Sequence, residues 1–152
     1  MPPAAKTTGN YANSSLAKVE ALRAGYDEAV MLAGNGLVAE CSGENVFVSL
    51  HDRLITPPLS AGALEGITQH TVMTLAQDLG FEAVCDNLAR SDLYIADEMF
   101  LVGTAAEVSS VSSVDDRSLP CPGPKTLAIA DLYGRVVRGQ VERYRSWCEL
   151  AV

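Results

Sequence analysis

Acidic and amide side chains crowd the octet Glu40-Cys41-Ser42-Gly43-Glu44-Asn45-Val46-Phe47. The apolar runs Leu37-Val38-Ala39 and Val46-Phe47-Val48 read as strands, so the octet delivers two carboxylates to a strand-loop-strand junction. A carboxylate there can face solvent or a reacting group, and taken alone the octet also reads as a plain polar turn. A second stretch, Leu64-Glu65-Gly66-Ile67-Thr68, opens a helical pattern. Backbone N–H groups at a helix start, a hydroxyl and a positive dipole end suit an anion such as phosphate, worth about 0.3 to 2 kcal/mol. In isolation Gly-x-Thr is also a good helix cap. Gly103-Thr104-Ala105-Ala106-Glu107 sets another hydroxyl at the end of a buried strand, and Lys6 supplies an amine shortly before Gly9-Asn10-Tyr11. Lone lysines are mostly solvated surface groups.

The elements that must position these groups follow from periodicity and punctuation. Ala12, Leu16, Val19 and Leu22 recur at helical spacing from Asn10 to Ala24, and Gly25 ends that helix. Glu28 to Ala33 and Leu37 to Glu40 flank Gly34-Asn35-Gly36, a strong hairpin signal because the turn demands positive φ. A second hairpin runs from Asn45 to Leu50, turns at His51-Asp52 and returns from Arg53 to Thr56. Pro57-Pro58 then forces the chain out of the sheet, since proline has no N–H to donate. A helix is predicted from Thr68 to Leu79 with Val72, Leu75, Ala76 and Leu79 inward and Gly80 as its cap. A strand follows over Glu82–Cys85, then a short N-capped helix from Ser91, a buried strand Met99–Val102, and an edge strand within Val108–Val114. Asp115–Pro124 is a turn-rich connection. A last amphipathic helix spans Thr126–Arg138 through Leu127, Ala130 and Val137, and Val141–Leu150 adds a tail helix. The fold class expected is α+β, one domain over residues 1–152.

Composition narrows the function classes. A formal net charge of −8 with 48% apolar and 20% charged residues suits an enzyme of small molecules and disfavours polyanions, so nucleic acid is not an expected partner. There is no apolar run of about eighteen residues, and Met1-Pro2-Pro3-Ala4-Ala5-Lys6 lacks signal-peptide character, so a cytoplasmic protein without membrane attachment is expected. Cys41, Cys85, Cys121 and Cys148 form no Cys-x-x-Cys pair, and His51 and His70 stand singly. Neither a metal site nor a disulfide framework is signalled.

Taken together and in order, Lys6 before Gly9-Asn10-Tyr11, the octet from Glu40, Leu54-Ile55-Thr56-Pro57-Pro58, Leu64-Glu65-Gly66-Ile67-Thr68 and Gly103-Thr104-Ala105-Ala106-Glu107 resemble the class IV aminotransferases that use pyridoxal 5'-phosphate. The resemblance is greatest to those acting on branched-chain amino acids and runs from about Ala4 to Gly139. It implies the large domain of that fold, a mixed, mainly antiparallel sheet or pseudo-barrel with flanking helices. It also implies transamination between branched-chain L-amino acids and 2-oxoglutarate, in a homodimer when full length. By resemblance Lys6 condenses with the cofactor aldehyde and later moves the substrate's α-proton, a task for a deprotonated amine that is desolvated or beside positive charge. Glu40 holds a proton on the pyridine nitrogen, which the cofactor needs to act as an electron sink. Tyr11 hydrogen-bonds the phenolic oxygen, Leu64 packs on the ring, and Gly66, Ile67, Thr68 and Thr104 hold the phosphate. Thr104, Ala105 and Ala106 receive the substrate carboxylate, while Glu44 and Asn45 brace the loop.

Two departures stand beside these matches. Family members commonly read Gly-Ile-Thr-Arg where this chain reads Gly66-Ile67-Thr68-Gln69, which drops a cation near the phosphate. Lys6 also follows only five residues, so the smaller domain that carries a further arginine and much of the substrate pocket is expected to be absent, and turnover by the chain alone to be impaired. A related lyase, like the aminodeoxychorismate lyases, and a non-catalytic remnant serving as an interaction module are the alternatives.

Overall fold

Turn residues punctuate the chain, and the computed structural model, which describes residues 5–149, follows them closely. Helix α1 (Tyr11–Arg23) is followed by an antiparallel hairpin of β1 (Val30–Leu32) and β2 (Val38–Cys41), whose register slips between Met31 and Leu32. Gly36 holds φ +82° in that turn, a conformation that favours glycine. The next hairpin, β3 (Asn45–Leu50) and β4 (Arg53–Thr56), turns on His51 and Asp52 at φ 49° and 63°, the two left-handed residues that match strand twist in a two-residue loop. After Pro57-Pro58 come α2 (Ile67–Asp78), with Gly80 at φ +80° just beyond it, and β5 (Glu82–Cys85). Then follow β6 (Glu98–Gly103), β7 (Glu107–Ser110), the small hairpin β8 (Ser113–Val114) with β9 (Arg117–Ser118), and α3 (Pro124–Val137) with proline in its first turn.

The main sheet has five strands in the order β5-β4-β3-β6-β7, all antiparallel except the β4/β5 pair. A parallel pair needs a crossover, and α2 provides it. β5 and β7 are open edges, so the expected pseudo-barrel is corrected to an open mixed sheet with flanking helices. On one face Phe47, Leu54, Phe100 and Val102 pack with Val72, Leu75 and Ala76 of α2 and Ile129, Tyr133 and Val136 of α3. The other face holds Val46, Val48, Ile55 and Met99 against Val38 and Cys41 of β2 and against Leu88 and Leu93. Covered on both sides, β3 is buried from Asn45 to Ser49, which explains its nearly unbroken apolar run. Phe47 and Phe100 pair directly across β3 and β6 with stacked rings 5.1 Å apart. The buried carboxylate of Glu98 fastens α3 to the sheet by accepting the N–H groups of Lys125 and Thr126 and the Thr126 hydroxyl.

Several expectations are corrected. In α3 the buried positions are Thr126, Ile129, Tyr133 and Val136, whereas Leu127 and Val137 are exposed, so the helix is rolled from the face assigned by sequence. Leu79 follows α2 and is exposed. Ser91 is not a cap: a 3-10 helix spans Arg90–Tyr94, and Asp92 reaches back to the Ala89 N–H. The tail is a 3-10 helix over Glu142–Trp147, and Leu150 lies outside the described residues. No side chain of α1 is buried, and its apolar stripe of Leu16, Val19 and Leu22 faces outward. Among the described residues no helix is long and apolar enough to cross a membrane.

Candidate active site

Strand direction collects the candidate groups at one end of the sheet. β3 starts there and β4 and β6 end there, so the β2–β3 turn, the loop from Thr56 to α2 and the β6–β7 turn are neighbours. Asn45 pairs with Val102, which sets Glu44 beside Gly103; a Cβ on that glycine would lie 3.5 Å from Glu44 Cγ.

Glu40 lies on β2 opposite Met31, half-buried. Its Oε2 accepts the Leu64 N–H at 2.8 Å and, at 3.5 Å, the amide of Asn45. Asn45 is buried and also donates to the Leu64 carbonyl at 2.9 Å, which ties the Glu40 strand to the loop before α2. Its Oδ1 faces Gly66, where any Cβ would stand 2.1 Å away, so only glycine fits this approach. Among the described residues no hydrogen bond reaches Glu40 Oε1. Burial pushes the Glu40 carboxyl above its ordinary range, and the Leu64 N–H offsets part of that rise.

A pocket of about 250 Å³ opens at this carboxylate. Lys6, Tyr11, Glu40 and Leu64 line it together, with Asn10 and Asn45. Lys6 is reached through the turn Ala5–Asn10, where Asn10 Nδ2 donates to the Ala5 carbonyl at 2.8 Å, and Tyr11 opens α1. Lys6 is exposed among the described residues, so desolvation, one of the two surroundings expected for such an amine, is not supplied by them.

Gly66, Ile67 and Thr68 begin α2 beside this pocket, joined to it through Asn45. The first helical bond there is His70 N–H to Gly66 O and no side chain caps the end, so the N–H groups of Ile67, Thr68 and Gln69 precede the helical ladder. The Thr68 side chain is buried and that of Ile67 is exposed. Gln69 stands where the resemblance leads one to expect arginine, and no cation replaces it at this position. Its amide turns inward and donates to Thr56 Oγ1 at 2.9 Å, and Thr56 donates in turn to the Val46 carbonyl, so the side chain leaves no gap at the helix end.

Thr104, Ala105 and Ala106 form the β6–β7 turn and do not line the 250 Å³ pocket; Thr104 and Ala105 are exposed. Ala106 lines a second, larger groove of about 690 Å³ with Lys18, Glu28 and Glu44. Glu44 borders both spaces. Burial and the neighbouring Glu28 carboxylate raise the Glu44 carboxyl. Burial also opposes ionisation of Glu28, yet Lys18, Ser42 and the Ala29 N–H outweigh it and bring Glu28 down to about 2. Sequence reasoning missed Glu28 and Ser42; the only hint was an acid opening the apolar run Ala29–Ala33.

Comparison with known proteins accords with this layout. The family described as "Amino-transferase class IV" matches residues 1–114. A probable branched-chain-amino-acid aminotransferase of Aquifex aeolicus is 46% identical over 150 residues, 97% of this chain and 48% of that protein. The branched-chain aminotransferase of the thermophilic archaeon Thermoproteus uzoniensis, solved with norvaline, superposes with a TM-score of 0.94 at 50% identity, covering 97% of this chain and 49% of that one. The branched-chain aminotransferase of Thermobaculum terrenum in its PLP-form gives a TM-score of 0.94 at 43% identity, again over 97% of this chain and 49% of that one. The chain spans about half the length of the relatives it matches. By the match over residues 1–114 and the identity across nearly its whole length, the chain belongs to the class IV aminotransferases.

Proposed function

We propose that residues 1–152 are the cofactor-binding large domain of a branched-chain amino acid aminotransferase, which exchanges nitrogen between branched-chain L-amino acids and 2-oxoglutarate, with pyridoxal 5'-phosphate carried on Lys6. The observation that carries this reading is the convergence of an amine, a phenol, a carboxylate and an apolar side chain on one pocket: Lys6, Tyr11, Glu40 and Leu64. The names of the relatives favour transamination over the lyase alternative.

The donor set fits the cofactor. Glu40 presents an oxygen with no hydrogen bond from the described residues, and a protonated ring nitrogen would bring its raised carboxyl back to the charged form. The unladdered N–H groups at the start of α2 suit a phosphate, with the hydroxyls of Thr68 and Thr104 as further donors. Bound pyridoxal phosphate supplies an electron sink that makes a substrate Cα–H acidic. Glu40 would keep the proton on the ring nitrogen, Tyr11 would bond the phenolic oxygen, Leu64 would pack on the ring, and Lys6 Nζ would take the proton from the substrate's Cα. The backbone of Thr104, Ala105 and Ala106 receives the substrate carboxylate, where small side chains allow close approach.

The remaining cover is assigned to a smaller domain outside residues 1–152, which span about half the length of their relatives, and the working form to a homodimer. The exposed stripe of Leu16, Val19 and Leu22 and the 88% exposed Ile67 support both. The isolated chain is accordingly expected to turn over poorly. Four free cysteines support a reducing, cytoplasmic setting. Borohydride reduction of the chain with pyridoxal phosphate, followed by peptide mapping, tests the assignment: the pyridoxyl mass is expected on Lys6. Label on Lys18 or Lys125 alone overturns it.

A further inference from the structure

α1 follows Lys6 and opens with Tyr11, yet it is not held by the core. Tyr11–Arg23 buries no side chain, and Leu16 is 71% exposed. Among the described side-chain hydrogen bonds of α1, those that leave the helix come from Lys18, whose Nζ donates to the Asp27 carbonyl at 2.6 Å and to Glu28 Oε2 at 2.6 Å. The other oxygen of Glu28 turns to the opposite wall of the pocket. It accepts the Ser42 hydroxyl at 2.5 Å, the Ser42 N–H at 3.3 Å and the Ala29 N–H at 2.7 Å. Ser42 stands just beyond Glu40 in the β2–β3 turn.

One carboxylate thus joins the helix that carries Tyr11 to the turn that follows Glu40. Lys18 is the cation that faces it, while Asp27 and Glu44 bring negative charge to the same cluster. Among the described residues apolar packing does not do this work, because neither apolar cluster of the core includes an α1 residue. We infer that Glu28, bridging Lys18 and Ser42, is a positioning residue that sets the Lys6–Tyr11 segment against Glu40; the inference rests on the reading of the pocket as the pyridoxal phosphate site.

The test uses the full chain with Glu28→Gln, Lys18→Met and the conservative Lys18→Arg. Amide exchange without cofactor reads the clamp by itself. In Glu28→Gln and Lys18→Met, α1 is expected to exchange about tenfold faster, while α2 and α3 keep their protection and Lys18→Arg restores the slow rate. With pyridoxal phosphate added, the two disrupting variants are expected to shift the pH at which the visible band interconverts by about half a unit or more and to weaken cofactor binding about tenfold. Lys18 is partly exposed, so Lys18→Met reports even if Glu28→Gln fails to fold. Unchanged α1 exchange, or a wild-type band and pH profile in both variants, overturns the inference. A wild-type chain that forms no visible band overturns the pocket reading and the positioning role with it, whereas normal bands throughout overturn the clamp alone.

Discussion

The two walls of the candidate pocket are held by different physics. The Glu40 wall grows from β2 and β3, where Val38, Cys41, Val46, Phe47 and Val48 are almost wholly buried and Glu40 and Asn45 are bonded to each other and to the loop at Leu64. The Lys6–Tyr11 wall rides on a helix with no buried side chain, fastened through Lys18 and Glu28. Burial of apolar area is insensitive to small changes in charge, whereas a polar clamp depends on protonation, salt and geometry. The wall that fixes the acid is therefore the rigid reference, and the wall that carries the amine is the adjustable one.

The largest test of this contrast truncates each wall. Phe100→Ala removes a ring stacked on Phe47 in the fully buried layer and is expected to cost about 3 to 5 kcal/mol in urea unfolding. Leu16→Ala on the exposed α1 stripe is expected to stay within about 0.5 kcal/mol. Comparable losses at both positions would show that α1 is part of the core.

An intermediate effect is expected where the rigid wall meets the helix start. Gly66→Ala brings a Cβ to 2.1 Å from Asn45 Oδ1, and Asn45 must retreat from Leu64 and Glu40. The cost is expected at about 1 to 3 kcal/mol of stability, with a matching loss of cofactor affinity by titration. A stable Gly66→Ala chain with unchanged affinity would mean that Asn45 does not set the acid.

The smallest effect is a pH dependence confined to α1. The Glu28 carboxyl lies at about 2 against an ordinary 4.5, so the folded chain gives up this proton where the unfolded chain still holds it. The clamp's contribution is full above about pH 4.5 and is lost as pH falls towards 2. Glu40 and Glu44 are shifted upward, so acid relieves them and acts in the opposite sense. Amide protection of α1, corrected for intrinsic exchange, is expected to fall a fewfold over that range while α2 and α3 hold, and Glu28→Gln should flatten the change. Loss in step across all three helices would place the acid sensitivity in the core instead.

Local chemistry made much of the fold legible. Asn45–Leu50, Arg53–Thr56 and Glu82–Cys85 carry their strand boundaries in their turns and prolines, and Gly36 and Gly80 mark places where positive φ is required. The family resemblance drew Lys6, Tyr11, Glu40 and Leu64 out of the sequence, and one pocket gathers them. The face of α3 was not legible, because Leu127 and Val137 are as apolar as Ile129 and Val136, and only contact with α2 and the sheet chooses between them.

The sequence by itself determined where the chain turns, which segments extend or coil, and which residue types carry the chemistry, since those follow from neighbours a few positions apart. Tertiary structure alone decided that the sheet stays open, that Gln69 turns inward to Thr56, and that Glu28 joins Lys18 to Ser42. These depend on groups brought together across the sheet and across the turn after Glu40. Periodicity carries no record of which acid meets which distant donor; packing and desolvation settle that once the fold brings them together.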